Sequence, residues 1–208
     1  MSIKLKQNSI IRGLHFANKA LMSFFIKRRN FGICHDSVVI TPPLHVGNYK
    51  NVFLGEGVSL GANAHITAIN AKFICKGHCV IAKNLSVHTG NHARIIGQYV
   101  SAITEANKPT GYDKDIIVEE DVWIGTSVTL LAGVTIGRGV TVAAGAVVAK
   151  SIPPYCICGG VPAKVLKLYW TIDQIIEHEK ILYPEEKRYT REQLEEVYSK
   201  YLPITHSS

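Results

Sequence analysis

The sequence has no long hydrophobic run, and this absence excludes a chain built on transmembrane helices. None of its apolar stretches reaches the roughly 18 residues that a spanning helix needs. The apolar patch at 20–26 is short, is followed by Lys27, Arg28 and Arg29, and has no small-residue cleavage site after it. A signal peptide is therefore not expected. The sequence predicts a cytoplasmic protein of one domain with short appendages.

Charged residues are also scarce, at 19% of the chain, whereas hydrophobic residues reach 47%. This balance is expected if much of the chain lies on flat β faces around a sizeable core. The five cysteines are an odd number, and two of them, Cys75 and Cys79, occupy repeat-like positions. We interpret the cysteines as small buried apolar residues of a protein in a reducing compartment.

Acidic residues are absent from the first 35 positions, which hold seven of the 23 basic residues and so account for the net charge of +7. Ser9 can serve as the N-cap of a helix there. Apolar residues follow it at helical spacing: Ile10, Leu14, Ala17, Leu21 and Phe24. We favour a helix that caps the open end of a repeat, and peripheral membrane contact through residues 1–30 is the alternative. No nucleic-acid partner is expected, because the rest of the chain is neutral and lacks a basic aromatic stripe.

What the sequence does have is a strict period of six residues between 118 and 152. One apolar column consists of Val118, Ile124, Leu130, Ile136, Val142 and Val148. A second column, four residues later, consists of Val122, Val128, Val134, Val140, Ala146 and Ile152. Neither a helix nor an alternating strand repeats every six residues, whereas a hexapeptide β-helix does. The period therefore predicts a mainly β solenoid.

The repeat divides the chain into three parts. We predict a basic amphipathic helical arm at 1–35, a β-helix at 36–165 and a helical tail at 166–208. Thr171 and Thr190 each begin a sequence that fits a capping box, which favours two helices in the tail.

The regular repeat is preceded by weaker hexads and by an interruption. The weaker hexads occupy 38–90, where the register slips near Asn70. It resumes at Ile74, Val80 and Ser86. Residues 93–115 break the pattern, and a long loop inside a compact repeat is usually functional or disordered. We predict that this segment is an excursion from the solenoid.

The clean repeat contains motifs that resemble a known family. Trp-Ile-Gly-Thr at 123–126 opens it, Gly-Ala-Val-Val at 145–148 continues it, and Ile-Pro-Pro at 152–154 and Gly-Val-Pro-Ala-Lys at 160–164 follow. In this order the motifs resemble the hexapeptide-repeat acyltransferases, most of all the branch of galactoside and maltose O-acetyltransferases, streptogramin acetyltransferases and polysaccharide O-acetyltransferases. The close resemblance covers 116–167. It implies a left-handed parallel β-helix of triangular section, a homotrimer, and acetyl-CoA rather than a metal as the required co-substrate, bound between subunits.

The resemblance also assigns residues to acetyl-CoA. The matching positions are Trp123, Gly125, Thr126, Ala144, Ala149, Lys150, Lys164 and Lys167. If a coil holds 18 residues, Trp123 stacks on Thr141 and Thr126 stacks on Ala144, about 4.8 Å apart. An extended pantetheine arm can follow such a ladder, and the lysine ammonium groups can meet the phosphates. At Ala149 this chain lacks the hydroxyl that many relatives carry, so only a backbone contact remains there.

Transfer of an acetyl group from a thioester to a hydroxyl needs a group that removes the hydroxyl proton, and histidine is the usual choice. His92 follows Gly90 and Asn91, which matches the Gly-Asn-His context in which relatives place their catalytic histidine. We predict that His92 is the base, with His88 as the alternative. Glu105 is a candidate acidic partner, although a solvated loop charge is the simpler interpretation.

These residues predict an acetyl-CoA-dependent O-acetyltransferase that acts on a hydroxyl of a sugar or polysaccharide precursor. Inactivation of a streptogramin-type antibiotic is an alternative with the same chemistry. A zinc enzyme like the γ-carbonic anhydrases, with His88, His92 and either His65 or His78 as ligands, belongs to another class. A non-catalytic trimeric scaffold is the remaining alternative. The CoA motifs favour the acetyltransferase.

Overall fold

The computed structural model describes residues 26–201. The predicted helix that begins near Ser9 lies outside this range, as does most of the arm assigned to a cap or to membrane contact. Within the described part, the arm contributes a 3-10 turn at Arg28–Asn30 and the first strand at Ile33–Cys34. No helix between residues 26 and 201 is long and apolar enough to cross a bilayer.

The strands of this part form three sheets, and each coil of the chain adds one strand to each sheet in turn. Sheet A consists of β1 (Ile33–Cys34), β4 (Val52–Glu56), β7 (Phe73–Gly77), β10 (Ile116–Val118) and β13 (Thr135–Ile136). Sheet B consists of β2 (Val39–Ile40), β5 (Ser59–Leu60), β8 (Val80–Ile81), β11 (Trp123–Ile124), β14 (Thr141–Val142), β16 (Cys156–Gly159) and β17 (Lys164–Leu168). Sheet C consists of β3 (Leu44–Val46), β6 (Ala64–Thr67), β9 (Ser86–His88), β12 (Thr129–Leu131) and β15 (Val147–Val148). This order is that of a three-sided parallel solenoid.

Strand pairing is parallel within all three sheets except at the end of sheet B, where β16 and β17 form an antiparallel pair. From β10 to β15, paired residues are 18 apart, as for Trp123 and Thr141, whereas Ile136 and Ile152 at the end of the clean repeat pair 16 apart. The spacing of 18 confirms the predicted coil length. Earlier coils are longer, because Ile33 pairs with Phe53 and Phe53 pairs with Ile74.

The core lies inside the solenoid and is built from the two apolar columns. Every member of both columns between Val118 and Ile152 is buried. Within the weaker hexads, the register predicted after Asn70 is wrong by one residue, because Val80 is 56% exposed whereas Ile81 is buried. Ile74 and Ser86 are only partly buried, and the inward residues beside them are Cys75 and Val87. A strand alternates its faces, so a shift of one residue exchanges inside for outside.

The cysteines are all free thiols. Cys75, Cys79, Cys156 and Cys158 are buried in the core, and Cys34 is partly buried. Burial raises the pKa of Cys156 to about 12 and the pKa of Cys158 to about 11. These thiols pack as small apolar side chains, as predicted.

Two helices follow the solenoid. Helix α1 covers Ile172–Leu182 and helix α2 covers Arg191–Ser199, with a 3-10 turn at Glu185–Lys187 between them. Both helices begin with the predicted capping box, at Thr171 and Thr190. Their buried apolar residues join the core of the solenoid: Ile175, Leu194 and Tyr198.

A buried polar cluster of Arg138, Tyr155 and Glu179, here called the tail clasp, attaches α1 to the solenoid. The Arg138 guanidinium donates to both Glu179 carboxylate oxygens, at 2.9 and 3.1 Å. The Tyr155 hydroxyl donates to the same carboxylate at 2.5 Å. Burial, together with the neighbouring Glu179 carboxylate, raises the pKa of Tyr155 above its usual value. The clasp therefore satisfies the buried charge of Glu179 on α1 with two donors from the solenoid.

Candidate active site

The excursion leaves the solenoid between β9 and β10 and covers residues 89–115, so it begins four residues earlier than the predicted 93. The two ends of the excursion meet, because the Lys114 N–H donates to the Thr89 carbonyl at 2.9 Å. The Asp115 carboxylate accepts the Lys72 N–H at 2.7 Å beside this point. The chain thus departs and returns at one corner of the section, the corner between sheets C and A.

His92 lies at the start of the excursion, with its side chain exposed to solvent. It borders a cleft of about 170 Å³. The polar residues that line the cleft come from the solenoid and from both ends of the excursion: Thr67, Asn70, Asn91, Glu105, Lys108 and Asp113. The predicted base therefore faces an open space surrounded by hydrogen-bonding groups, which is the setting that a general base requires.

Asp113 connects the two ends of the excursion beside His92. Its Oδ1 accepts the Asn91 N–H at 3.0 Å, and its Oδ2 accepts from Asn70 Nδ2 at 3.0 Å and from Lys108 Nζ at 2.7 Å. A Cβ at Gly90 would lie 3.2 Å from Asp113 Oδ1, so glycine permits this close approach. Burial raises the pKa of the Asp113 carboxyl, but the hydrogen bonds it accepts outweigh burial and leave the pKa below its usual value. Asp113 therefore stays ionised and holds the peptide that precedes His92.

Glu105, the candidate acidic partner of His92, contacts other residues. Its carboxylate accepts hydrogen bonds from Asn70 Nδ2 and, at 2.9 Å, from Lys108 Nζ. Hydrogen bonds from Lys108 to Asp113 and Glu105 raise the pKa of Lys108 above its usual value. Glu105 thus belongs to a network around Lys108, and its hydrogen bonds do not orient the His92 ring.

His88, the alternative base, is held between two hydroxyl groups on sheet C. Its Nδ1 lies 3.2 Å from Thr67 Oγ1 and its Nε2 lies 2.8 Å from Ser86 Oγ. Thr67 already donates its proton to the Val87 carbonyl at 2.8 Å, so it accepts from the Nδ1–H of His88. Because both ring nitrogens have partners, the ring fits an orienting role better than proton abstraction.

The histidines proposed as zinc ligands do not gather into a metal site within one chain. No group of three or more His, Cys, Asp or Glu side chains between residues 26 and 201 is arranged to hold a metal ion. His65 instead stacks on His45, with ring centroids 4.3 Å apart. This arrangement gives the zinc alternative no support from a single chain.

The predicted cofactor residues fall into two groups, and the first lies along sheet B and its corner with sheet C. Gly125, Thr126 and Ala144 form this corner, where the Gly145 N–H donates to the Thr126 carbonyl at 2.8 Å. Trp123 projects from the outer face of sheet B and is 56% exposed.

Two predicted lysines continue this group along the same sheet. Lys167 lies opposite Ile157 on β16, Ile157 pairs with Thr141, and Thr141 pairs with Trp123. Three strand spacings, about 14 Å, therefore separate Lys167 from Trp123 along one row. Lys164 lies on the same strand, opposite Gly159, and both lysines are exposed.

The second group, Ala149 and Lys150, lies at the corner between sheets C and A, which is the corner of the excursion. Strand β12 pairs with β9 through Leu131 and His88, and on its other edge it pairs with β15, which immediately precedes Ala149. Ala144 and Ala149 therefore lie at the two ends of one side of the section, at most about 16 Å apart, because the chain turns at Gly145 before it enters β15. One chain brings Lys150 toward the histidine corner and keeps Trp123, Thr126 and the other lysines on another side.

Comparisons with known proteins agree with this architecture. A family profile described as "Bacterial transferase hexapeptide (six repeats)" matches residues 115–150. The polysialic acid O-acetyltransferase of Escherichia coli O1:K1 is 32% identical over 118 residues, which make up 57% of this chain and 36% of that protein. The chain thus matches only about a third of the length of this curated relative.

Solved structures share the fold. A hexapeptide-repeat-containing acetyltransferase from Vibrio cholerae has a TM-score of 0.61 at 28% identity, over 69% of this chain and 77% of that chain. Its complex with acetyl coenzyme A has a TM-score of 0.57 at 27% identity, over 69% and 74% of the two chains. A maltose O-acetyltransferase from Clostridium difficile 630, at 23% identity and a TM-score of 0.57 over 69% and 73%, shows the fold alone. Over its repeat, the chain is thus similar in sequence and in fold to hexapeptide-repeat acyltransferases.

Proposed function

We propose that the protein transfers the acetyl group of acetyl-CoA to a hydroxyl of a sugar. The observation that carries this proposal is His92, which is exposed at a polar cleft while the preceding peptide is fixed by Asp113. The solved relative with acetyl coenzyme A supports the choice of donor. The polysialic acid O-acetyltransferase supports a sugar hydroxyl as the acceptor.

In the proposed reaction, the His92 imidazole accepts the proton of the acceptor hydroxyl as its oxygen attacks the thioester carbonyl carbon. The carbon–oxygen bond forms, the tetrahedral intermediate collapses, and the carbon–sulfur bond breaks. The proton held by His92 passes to the leaving thiolate, so the products are an acetyl ester and free CoA. Since the acceptor attacks directly, the chain needs no covalent acyl-enzyme.

We also infer that the donor site lies between two subunits of a left-handed, homotrimeric solenoid. The support is the separation of the predicted cofactor residues into two groups, which lie at different corners of the section. A single extended ligand can contact both groups of cofactor residues if one subunit contributes the Lys150 corner and its neighbour contributes the Thr126 corner. Lys164 and Lys167 then lie where the cofactor phosphates can reach them.

The first prediction concerns the base. Replacing His92 with alanine should lower acetyl transfer by about 10²–10⁴-fold and leave acetyl-CoA affinity unchanged, because the side chain removed contacts the acceptor. Thiol release measures the transfer, and calorimetry measures the affinity. His88→Ala is the matched control and should retain more than a tenth of the activity. Full activity of His92→Ala would exclude His92 as the base, and absence of acetyl-CoA binding by the parent protein would contradict the transferase itself.

A further inference from the structure

The charges around the cleft differ in how far solvent reaches them. The Lys108 side chain is 10% exposed and the Asp113 side chain 12%, whereas the Glu105 side chain is 62% exposed. Lys108 Nζ lies 2.9 Å from a Glu105 oxygen and 2.7 Å from an Asp113 oxygen. The ammonium group is therefore enclosed between two carboxylates, and the charge that an incoming ligand meets is the carboxylate of Glu105.

The ionised groups of the cleft also sum to a negative charge. Among the described residues that line it, Glu105 and Asp113 are carboxylates and Lys108 is the single lysine or arginine. His92 acts as a base in its neutral form, so it adds no positive charge at the start of the reaction. A carboxylate on the acceptor would meet Glu105 with no free cation to pair with it among these lining residues, and like charges at close range repel.

The Glu105 carboxylate suits a neutral acceptor. An ionised carboxylate accepts hydrogen bonds only, and sugar hydroxyls donate them. Glu105 is also held in place, because Asn70 and Lys108 both donate to it. A fixed acceptor group loses less conformational freedom when a ligand binds.

We propose that Glu105 is a specificity-determining residue, which selects an uncharged pyranoside as the acceptor and rejects sugar acids. The proposal rests on the proposed function and adds the charge class of its acceptor. It sets this chain apart from the relative named for polysialic acid, a polymer of acidic sugars.

A pair of acceptors that differ in one carboxylate tests the proposal. With the full-length protein and acetyl-CoA, thiol release is measured with a methyl hexopyranoside and with the corresponding methyl hexopyranosiduronic acid. We expect kcat/KM to be at least about tenfold higher for the neutral sugar, mainly through KM. In Glu105→Gln the ratio should fall by about tenfold, because the amide keeps the shape and removes the charge.

Glu196→Gln is the matched control, since Glu196 is also an exposed, lysine-paired glutamate but lies on α2. It should leave the ratio unchanged. An equal or higher kcat/KM for the acidic sugar, or an unchanged ratio in Glu105→Gln, would overturn the proposal.

Binding of the same two sugars, followed by ligand-observed NMR in the presence of CoA, separates this proposal from the transferase itself. Selective binding of the neutral sugar without thiol release would support the selectivity and contradict the transferase. Binding of the acidic sugar at least as strongly, or of neither sugar, would overturn the selectivity even if acetyl-CoA binds.

Discussion

At the scale of single residues, Gly125 shows how closely the coils approach each other. A Cβ built there would lie 2.6 Å from Ala144 N and 2.9 Å from the Val142 carbonyl oxygen. Both neighbours are backbone atoms of the next coil, so they cannot rotate away. The glycine that follows the apolar column is therefore required by coil stacking, and this gives it a structural role in addition to the cofactor contact that remains a prediction.

Gly125→Ala should consequently destabilise the protein by about 1–3 kcal/mol, the usual cost of forcing extra volume into a packed site. Thermal or urea unfolding measures the change. Thr126→Ala, one residue further along the same corner, removes atoms rather than adding them and serves as the comparison. If Gly125→Ala unfolds at the same denaturant concentration as the parent, the coils tolerate more separation than the structure shows.

We infer that Asp113 is a positioning residue, because its hydrogen bond to the Asn91 N–H fixes the backbone beside His92. In Asp113→Asn the ion pair with Lys108 is lost and the Asn91 peptide is held less firmly. We expect kcat to fall by about 10²-fold with little change in the KM for acetyl-CoA, and partial recovery in Asp113→Glu. Steady-state kinetics separate the two constants. A rise in the KM for acetyl-CoA with unchanged kcat would contradict this role.

The lowered pKa of Asp113 also gives its contribution to stability a direction in pH. A carboxyl with a depressed folded pKa stabilises the fold above its unfolded pKa of about 3.9, and this contribution disappears as the pH falls through the folded value. The stability difference between the parent and Asp113→Asn should therefore be present at pH 7 and shrink below pH 4. Denaturant unfolding at both pH values would show it.

At the scale of elements, the tail clasp fastens helix α1 to the solenoid through a buried ion pair. Glu179 is almost fully buried, and its acceptor atoms serve Arg138, Tyr155 and the Tyr189 N–H. Arg138 also lies over the Tyr183 ring, with 3.9 Å between its guanidinium carbon and the ring centroid. Removing one partner of such a pair leaves the other charge buried and unpaired.

Glu179→Ala should therefore destabilise the protein by about 3–5 kcal/mol. Calorimetric melting measures the loss, with Glu196→Ala on the exposed face of α2 as the control that should melt close to the parent. A melting temperature for Glu179→Ala equal to that of the control would show that the tail is held by its apolar residues alone.

The sequence predicts some elements better than others, because some depend on residues that are close together in the sequence and others depend on residues that are far apart. The period of six predicts the strands from Val118 to Ile152, because each hexad repeats the same inward and outward pattern. The capping boxes at Thr171 and Thr190 predict the two helices from four residues each. In the weaker hexads, coils of 20–21 residues add residues at the corners, and this moved the predicted register by one at Val80.

The cleft was predicted only in part for a related reason. The Gly-Asn-His motif marks His92, and the broken repeat marks the excursion. Asn70 and Asp113, which hydrogen-bond beside His92, are 43 residues apart in the chain. No local pattern relates these two residues, so only the folded structure brings them together.

At the scale of the whole molecule, the three-sided section determines which candidate residues one chain can bring together. Each side is one short strand wide, and the candidate cofactor residues are divided between two corners. The corner of the excursion carries His92 and Lys150, and the corner between sheets B and C carries Thr126 and Ala144. We therefore expect the proposed site to require more than one copy of the solenoid.

Light scattering should give a molar mass of about three times 22.9 kDa for the trimer inferred above. One acetyl-CoA per chain should bind in that state. A Lys150→Glu protein and a Lys164→Glu protein, each defective in acetyl-CoA binding when pure, should regain part of the binding when mixed and reassembled, because some interfaces then carry both original lysines. A monomer that binds acetyl-CoA with full affinity would contradict the shared site.

The meeting ends of the excursion have a consequence for how such proteins diversify. Thr89 and Lys114 are hydrogen-bonded to each other, and β9 pairs with β12 directly across the gap. The length and sequence of the intervening loop can therefore change without disturbing the ladder above or below it, at a small entropic cost. If the loop selects the acceptor as proposed, preference for an acceptor can be inherited separately from the chemistry of the donor, and exchanging this one loop between related solenoids should change the acceptor.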